Sequence, residues 1–155
     1  MRRIKLLGVM AVSGLLGAAS AASPATASVP FTATVADACM ITSSAPVITL
    51  DYQAASTTAS VGNSQVLVVC NRDTAPFAGY WDDTGFNPDG SIDLLDAGNH
   101  KLNVTLATDF DYTDTGYAAN GGSSYSYGIS ATAKAGQWAA PSGSYTKTVD
   151  YLVGW

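Results

Sequence analysis

Six apolar runs of strand length, each stopped by turn-forming residues, set the main limit on what this chain can fold into. They are Val29-Pro30-Phe31-Thr32-Ala33-Thr34-Val35, Val47-Ile48-Thr49-Leu50, Val66-Leu67-Val68-Val69-Cys70, Leu102-Asn103-Val104-Thr105-Leu106, Tyr125-Ser126-Tyr127-Gly128-Ile129-Ser130-Ala131 and Tyr145-Thr146-Lys147-Thr148-Val149-Asp150-Tyr151-Leu152-Val153. The first alternates at period two, so Val29, Phe31, Ala33 and Val35 share one edge, as a strand with one apolar face requires. The third is apolar at both parities and reads as a strand buried on both faces, at the centre of a sandwich. Composition points the same way. Glu is absent and Lys and Leu are scarce, whereas Thr, Ser, Val, Tyr and Gly are abundant, a balance that favours strands and turns over helices. The class is all-β.

The stretches between Asp82 and Asn99 and between Asp109 and Ser124 are rich in Asp, Gly and Asn and read as turns or loops. Pro141-Ser142-Gly143-Ser144 is the turn before the last run. About six strands at these spacings suggest an immunoglobulin-like sandwich with one strand too few. An incomplete sheet exposes apolar core and unpaired backbone groups, a hazard that proteins cover with another strand. The amino-terminal run is the natural cover.

Before that run, Met1-Arg2-Arg3-Ile4-Lys5 places three positive charges ahead of the apolar stretch from Leu6 to Val12, which leads into small residues. This is the pattern of a secretory signal peptide. Ala19-Ser20-Ala21 and Ala25-Thr26-Ala27 both fit the small-x-small cleavage rule, and the second sets the expected leader at residues 1–27 with Ser28 as the mature start. The apolar stretch is too short and too diluted with Gly and Ser for a membrane anchor, which needs about 20 mostly apolar residues. No later segment is expected to span a membrane. The leader would take three of the seven Lys and Arg with it, leaving four against twelve Asp, a formal net of −8. Such a chain lacks the clustered cations that nucleic acid or an anionic membrane demands.

Cys39 and Cys70 are the only cysteines. In an exported chain an isolated pair is expected to be bridged, the other reading being two buried thiols. Metal and catalytic chemistry find little support. Asn87, Asp89, Asp93 and Asp96 fall at positions three, five, nine and twelve of a calcium loop with Gly90 and Ile92 in register, but Gly85 stands at the first ligand position and no helical pattern flanks it. A solvated acidic hairpin is the alternative. The single histidine, His100, has no serine elbow or free cysteine to form a triad, and one His with two cysteines makes no zinc cage. Neighbouring acids such as Asp82 with Asp83 or Asp109 with Asp111 read as turn charge rather than a glycosidase pair. The aromatic residues Tyr80, Trp81, Tyr125, Tyr127, Trp138, Tyr145, Tyr151 and Trp155 fall mostly in expected strands, where packing explains them better than a carbohydrate platform does. No enzyme activity, metal or cofactor is expected.

The alternating amino-terminal strand, Cys39 after a short spacer, Cys70 at the end of a long strand, and the closing Gly143-x-Tyr145-x-x-Thr148-Val149 pattern together resemble the spore coat protein U domain. That domain occurs in subunits of archaic, Csu-type chaperone-usher pili. The similarity runs through most of residues 28–155, and is strongest at Ser28 to Ile41 and from Gly136-Gln137 to Val153. It departs from the family at Lys147, where an acidic residue is common. The resemblance implies an incomplete immunoglobulin-like β-sandwich lacking its last strand, residues 38–155, preceded by a donor strand, residues 28–37. A periplasmic chaperone would complete the sandwich first, and the donor strand of the next subunit would then replace it by donor-strand exchange at an outer-membrane usher. Val29, Phe31, Ala33 and Val35 would be the donor residues, and Cys39–Cys70 the family bridge. The implied partners are identical or homologous pilus subunits, the chaperone and the usher. The implied place is the cell surface, reached through the periplasm, with a role in adhesion or biofilm formation. A different class of function is a secreted monomeric sandwich, a coat or binding protein whose amino-terminal strand completes its own fold.

Overall fold

The computed structural model describes residues 27–43 and 45–155. The expected leader, residues 1–27, lies outside them except for Ala27, as do the cleavage motif at Ala19 to Ala21 and most of that at Ala25 to Ala27. Two units are distinguished, Met1–Thr34 and Val35–Trp155. In the first, residues 27–34 are exposed and form no strand or helix.

The second unit is all-β. Its strands are β1 (Cys39–Ile41), β2 (Ser60–Cys70), β3 (Ala78–Trp81), β4 (Ser91–Leu95), β5 (Lys101–Thr108), β6 (Thr113–Tyr117), β7 (Ser123–Ala133) and β8 (Tyr151–Gly154). An antiparallel sheet runs in the order β1-β2-β7-β5-β4, with β6 pairing β7 beside that path, and β3 with β8 makes a small second sheet. The arrangement is sandwich-like.

The axis of the large sheet is β7, not the Val66 to Cys70 segment of β2. All eleven residues of β2 pair along one edge of β7. The other edge is shared, with β6 against Ser123–Ser126 and β5 against Ile129–Thr132. In β2 only one face is buried. Val66, Val68 and Cys70 are within the core, while Leu67 is 40% exposed. An apolar run at both parities fits a strand covered on both sides, but here the outer face is left to solvent. The Ser-rich β7 takes the central place because Tyr125, Tyr127, Ile129, Ala131 and Ala133 alternate into the core, and its intervening Ser and Gly residues suit an outer face.

Four strands lie where no run was read. β4 and β6 fall inside the two acidic stretches expected to be loops, and β1 and β3 are short. Partners create these strands: Ser91 to Leu95 pairs register for register with Lys101 to Thr105, which overrides the weak strand preference of Asp and Ser. Conversely, Val47 to Leu50 enters no ladder, and Tyr145 to Val153 is laddered only from Tyr151 onward, with a single bridge between Leu95 and Thr146. Alternating side chains define faces, but a strand also needs a backbone neighbour.

Candidate functional site

The two layers are unequally buried. Apart from Pro76, every fully buried apolar side chain among the described residues comes from β2, β4, β5 or β7 of the large sheet. The residues that cover this sheet are only half-buried. Over its Val66, Tyr127 and Ile129 end lie Ile48, Trp81, Tyr151 and Val153. Over its Ile92, Val104 and Ala131 end lie Ile48, Leu50, Tyr52, Tyr145 and Val149.

Apart from Trp81 of β3, these covering residues come from two extended segments. In the first, Ile48, Leu50 and Tyr52 turn toward the core while Val47, Thr49 and Asp51 are exposed. In the second, Val149, Tyr151 and Val153 turn inward while Thr148, Asp150 and Leu152 are exposed, and Tyr145 also packs inward, although Lys147 between Tyr145 and Val149 is exposed and donates to the Gly85 carbonyl at 2.9 Å. Both therefore run as strands do, with alternate side chains in the core. Their backbones are another matter. β8 pairs with β3 along one edge only, and residues 47–52 join no ladder at all among the described residues. The layer thus holds strand-like backbone that is laddered on one edge or not at all, beside half-buried apolar side chains, a combination that favours another strand.

Glycines set how closely this layer sits. A Cβ on Gly62 of β2 would collide with the Thr49 carbonyl oxygen and come within 2.8 Å of Ile48 Cγ2. A Cβ on Gly79 of β3 would collide with the Tyr151 hydroxyl and come within 2.8 Å of the Tyr127 ring. Both positions bring backbone onto the opposite layer where any side chain would hold it away.

Cys39 and Cys70 are bonded and lie opposite each other in the β1–β2 ladder. The chain enters the body beside them, fastened by Ala38 N to Asn71 Oδ1 at 2.8 Å and Thr74 Oγ1 to Asp37 Oδ1 at 2.8 Å. Upstream, Val29 is 66%, Phe31 91% and Val35 80% exposed, and Ala33 is exposed as well. The expected strand over Val29 to Val35 is not formed in the single chain.

The acidic residues weighed as calcium ligands are engaged with neighbours. Asp89 Oδ1 accepts from Ser91 Oγ at 2.6 Å, Asp93 Oδ2 from Lys101 Nζ at 2.8 Å, and Asp93 Oδ1 from Asn103 Nδ2 at 3.2 Å. Asp96 accepts from the backbone N–H groups of Gly98 and His100, and its Oδ2 lies 2.9 Å from His100 Nδ1. These contacts hold the Asp89, Asp93 and Asp96 carboxyls below the ordinary carboxylate value, with Ser91, Lys101 and His100 as the respective leading causes. Among the described residues no group of three or more His, Cys, Asp or Glu side chains is placed to hold a metal ion.

The aromatic residues divide. Tyr125 and Tyr127 are buried, Trp81, Tyr145 and Tyr151 pack against the core, and Tyr80, Trp138 and Trp155 are exposed. The Tyr127 hydroxyl has no hydrogen-bond partner among the described residues, and burial pushes its pKa up to about 12.

No protein-family model, curated protein or solved structure matches the chain.

The sequence singled out the exposed amino-terminal residues and the cysteines as site residues, whereas Ile48, Leu50, Val149, Tyr151 and Val153 lie in runs that it marks only as strands, and Tyr52 lies outside them. Its signal was the period-two spacing carried past Leu50 to Tyr52. Gly62 and Gly79 gave none, because the segments they approach are distant in the chain.

Proposed function

We propose that this protein is a structural subunit of a surface fibre, assembled by donor-strand complementation and serving adhesion or biofilm formation. The observation that carries the proposal is the half-open second layer, where Ile48, Leu50 and Tyr52 on one segment and Val149, Tyr151 and Val153 on another face the core without a ladder to join them. A strand from a neighbouring subunit would supply the missing backbone partners and cover the half-buried side chains. Its main-chain bonds would fix register and its alternate side chains would fill the groove.

The amino-terminal residues have the form such a donor needs. Val29, Phe31, Ala33 and Val35 lie on one parity, and the three larger ones are mostly exposed. Burying each of these three would contribute about 1.5 to 3 kcal/mol. Pro30 lacks a backbone donor, which is tolerated near a strand start. A subunit that gives one strand and receives another makes a heterologous contact that does not close on itself, and such contacts build filaments. The reading carries with it an incomplete immunoglobulin-like fold, export through an oxidising periplasm, a chaperone that fills the groove before assembly and an outer-membrane usher.

The test is Phe31→Asp. A carboxylate driven into an apolar groove costs several kcal/mol. The expected result is loss of the polymer ladder on an unboiled gel of surface protein, while the variant still accumulates, folded and disulfide-bonded, with a periplasmic chaperone. A wild-type protein that never forms a ladder, with a variant that only melts at lower temperature, would instead identify a monomer completed by its own amino-terminal strand.

A further inference from the structure

The face of the large sheet turned away from the core carries a polar trough that the fibre reading does not use. β7 runs along its floor with Gly128, which has no side chain, and the short Ser130, while the longer Asn63 and Gln65 rise from β2 on one side. On the other side stand Ala107 and Asp109, at the end of β5 and just past it. The walls are two strand spacings apart, about 10 Å, and the trough has a volume of about 430 Å³.

Asp109 is seated by the sheet itself. Its N–H donates to the Gly128 carbonyl at 2.9 Å, and its carboxylate lies over Gly128, where a Cβ would collide with Oδ2. A glycine in the middle of a central strand, usually a weak choice, here leaves room for a carboxylate on the sheet surface. The other hydrogen bond at Asp109 goes to its carbonyl, from Thr108 Oγ1 at 3.3 Å. The carboxylate itself belongs to neither of the two ion pairs among the described residues.

The chemistry of the trough narrows what it accepts. Ile129, which contributes backbone to the lining, turns its side chain into the core, so an apolar ligand finds only Ala107. A carboxylate at one wall repels phosphate, sulfate and carboxylate groups. The side-chain amides of Asn63 and Gln65 each donate and accept, Ser130 does the same, and Asp109 accepts twice. That is the complement of adjacent hydroxyl groups on a ring. The geometry points to a binding site for a neutral saccharide unit of a surface glycan, held by Asp109, Asn63, Gln65 and Ser130. The site stands apart from the strand-exchange groove and does not depend on it.

The experiment is binding of the purified full-length secreted protein, monomeric or polymeric as isolated, to an array of neutral glycans, followed by calorimetric titration of the best saccharide. Asp109→Ala should weaken binding by about tenfold or more, the effect of losing hydrogen bonds to a charged group. Asn63→Ala should weaken it severalfold, and both variants should keep the wild-type melting profile because neither side chain is buried. Gly128→Val should abolish binding by displacing the Asp109 carboxylate from its seat. Because that change in a central strand can also impair folding, the two alanine variants decide the matter. The proposal is overturned if no neutral glycan binds, if binding survives unchanged in both alanine variants, or if only a lysine-rich peptide binds in an Asp109-dependent way.

Discussion

Gln137 stands beside Asn103 as a strand would: its Oε1 accepts the Asn103 N–H at 2.8 Å and its Nε2 donates to the Asn103 carbonyl at 2.9 Å. β5 needs this because β7 pairs only with Thr105 to Thr108, leaving the backbone at Asn103 without a neighbour on that side. The Gln137 N–H in turn donates to the Tyr52 hydroxyl at 2.7 Å. One residue thus ties β5, through its side chain, to the turn after β7 and, through its backbone N–H, to the unladdered segment at 47–52.

Removing that amide leaves two backbone groups of Asn103 unpaired in a half-buried place. Gln137→Ala should lower stability by about 1 to 3 kcal/mol, read from urea unfolding. Gln137→Glu should cost at least as much, since a carboxylate keeps the acceptor for the N–H but turns an oxygen toward the Asn103 carbonyl. Equal stability of all three proteins would show that solvent replaces the amide at no cost.

Tyr127 presents the opposite case, a hydroxyl buried without a partner among the described residues. Tyr127→Phe keeps the ring against Gly79 and Tyr151 and removes the unsatisfied group. Its melting temperature should equal or exceed that of the wild type, consistent with a penalty of about 1 to 3 kcal/mol for an unpaired buried polar group. A clear fall in melting temperature would reveal a partner for the hydroxyl, such as a trapped water.

The Cys39–Cys70 bond spans 31 residues of sequence. On the chain-entropy account, a loop of this size restricts the unfolded chain by about 3 to 4 kcal/mol. The Cys39→Ala, Cys70→Ala double variant should lose about that much, and wild-type protein denatured without reductant should take up no thiol label. Labelling of both cysteines would refute the bond.

Asp82, Asp89, Asp93 and Asp96 all have carboxyls held below their ordinary value by hydrogen bonds, from Thr84, Ser91, Lys101 and His100 respectively. A depressed folded pKa means that the unfolded chain binds protons first as pH falls. The stabilising contribution is complete above the unfolded value, about 3.9 for Asp, and is lost as pH drops through the folded one. The melting temperature should therefore fall steeply below about pH 4. Asp93→Asn, which removes one of these carboxylates from the β4–β5 pair, should start lower at neutral pH and fall less. An acid limb of unchanged size in that variant would place the titrating group elsewhere.

The sequence alone determined the all-β class, the disulfide partners and the alternation that sets the inward face of β5 and β7, because these depend on local properties. Alternation at Tyr125, Tyr127, Ile129 and Ala131 assigns faces wherever the strand is placed, and two cysteines have one way to pair. Only the tertiary structure decided which runs became strands and which strand took the centre. Val66 to Cys70 is the more apolar, yet β7 is the axis, because it has β2 along one edge and β5 with β6 along the other. Ser91 to Leu95 became a strand through its register with β5, while Val47 to Leu50 kept the alternation of a strand and lacked the neighbour. A strand's hydrogen bonds are made with distant parts of the chain, so a segment's own residues set its faces but not its partners. The same holds for Gly79 against Tyr127, Gly128 beneath Asp109 and Gln137 beside Asn103, where the meaning of a residue is fixed by what the fold brings to it.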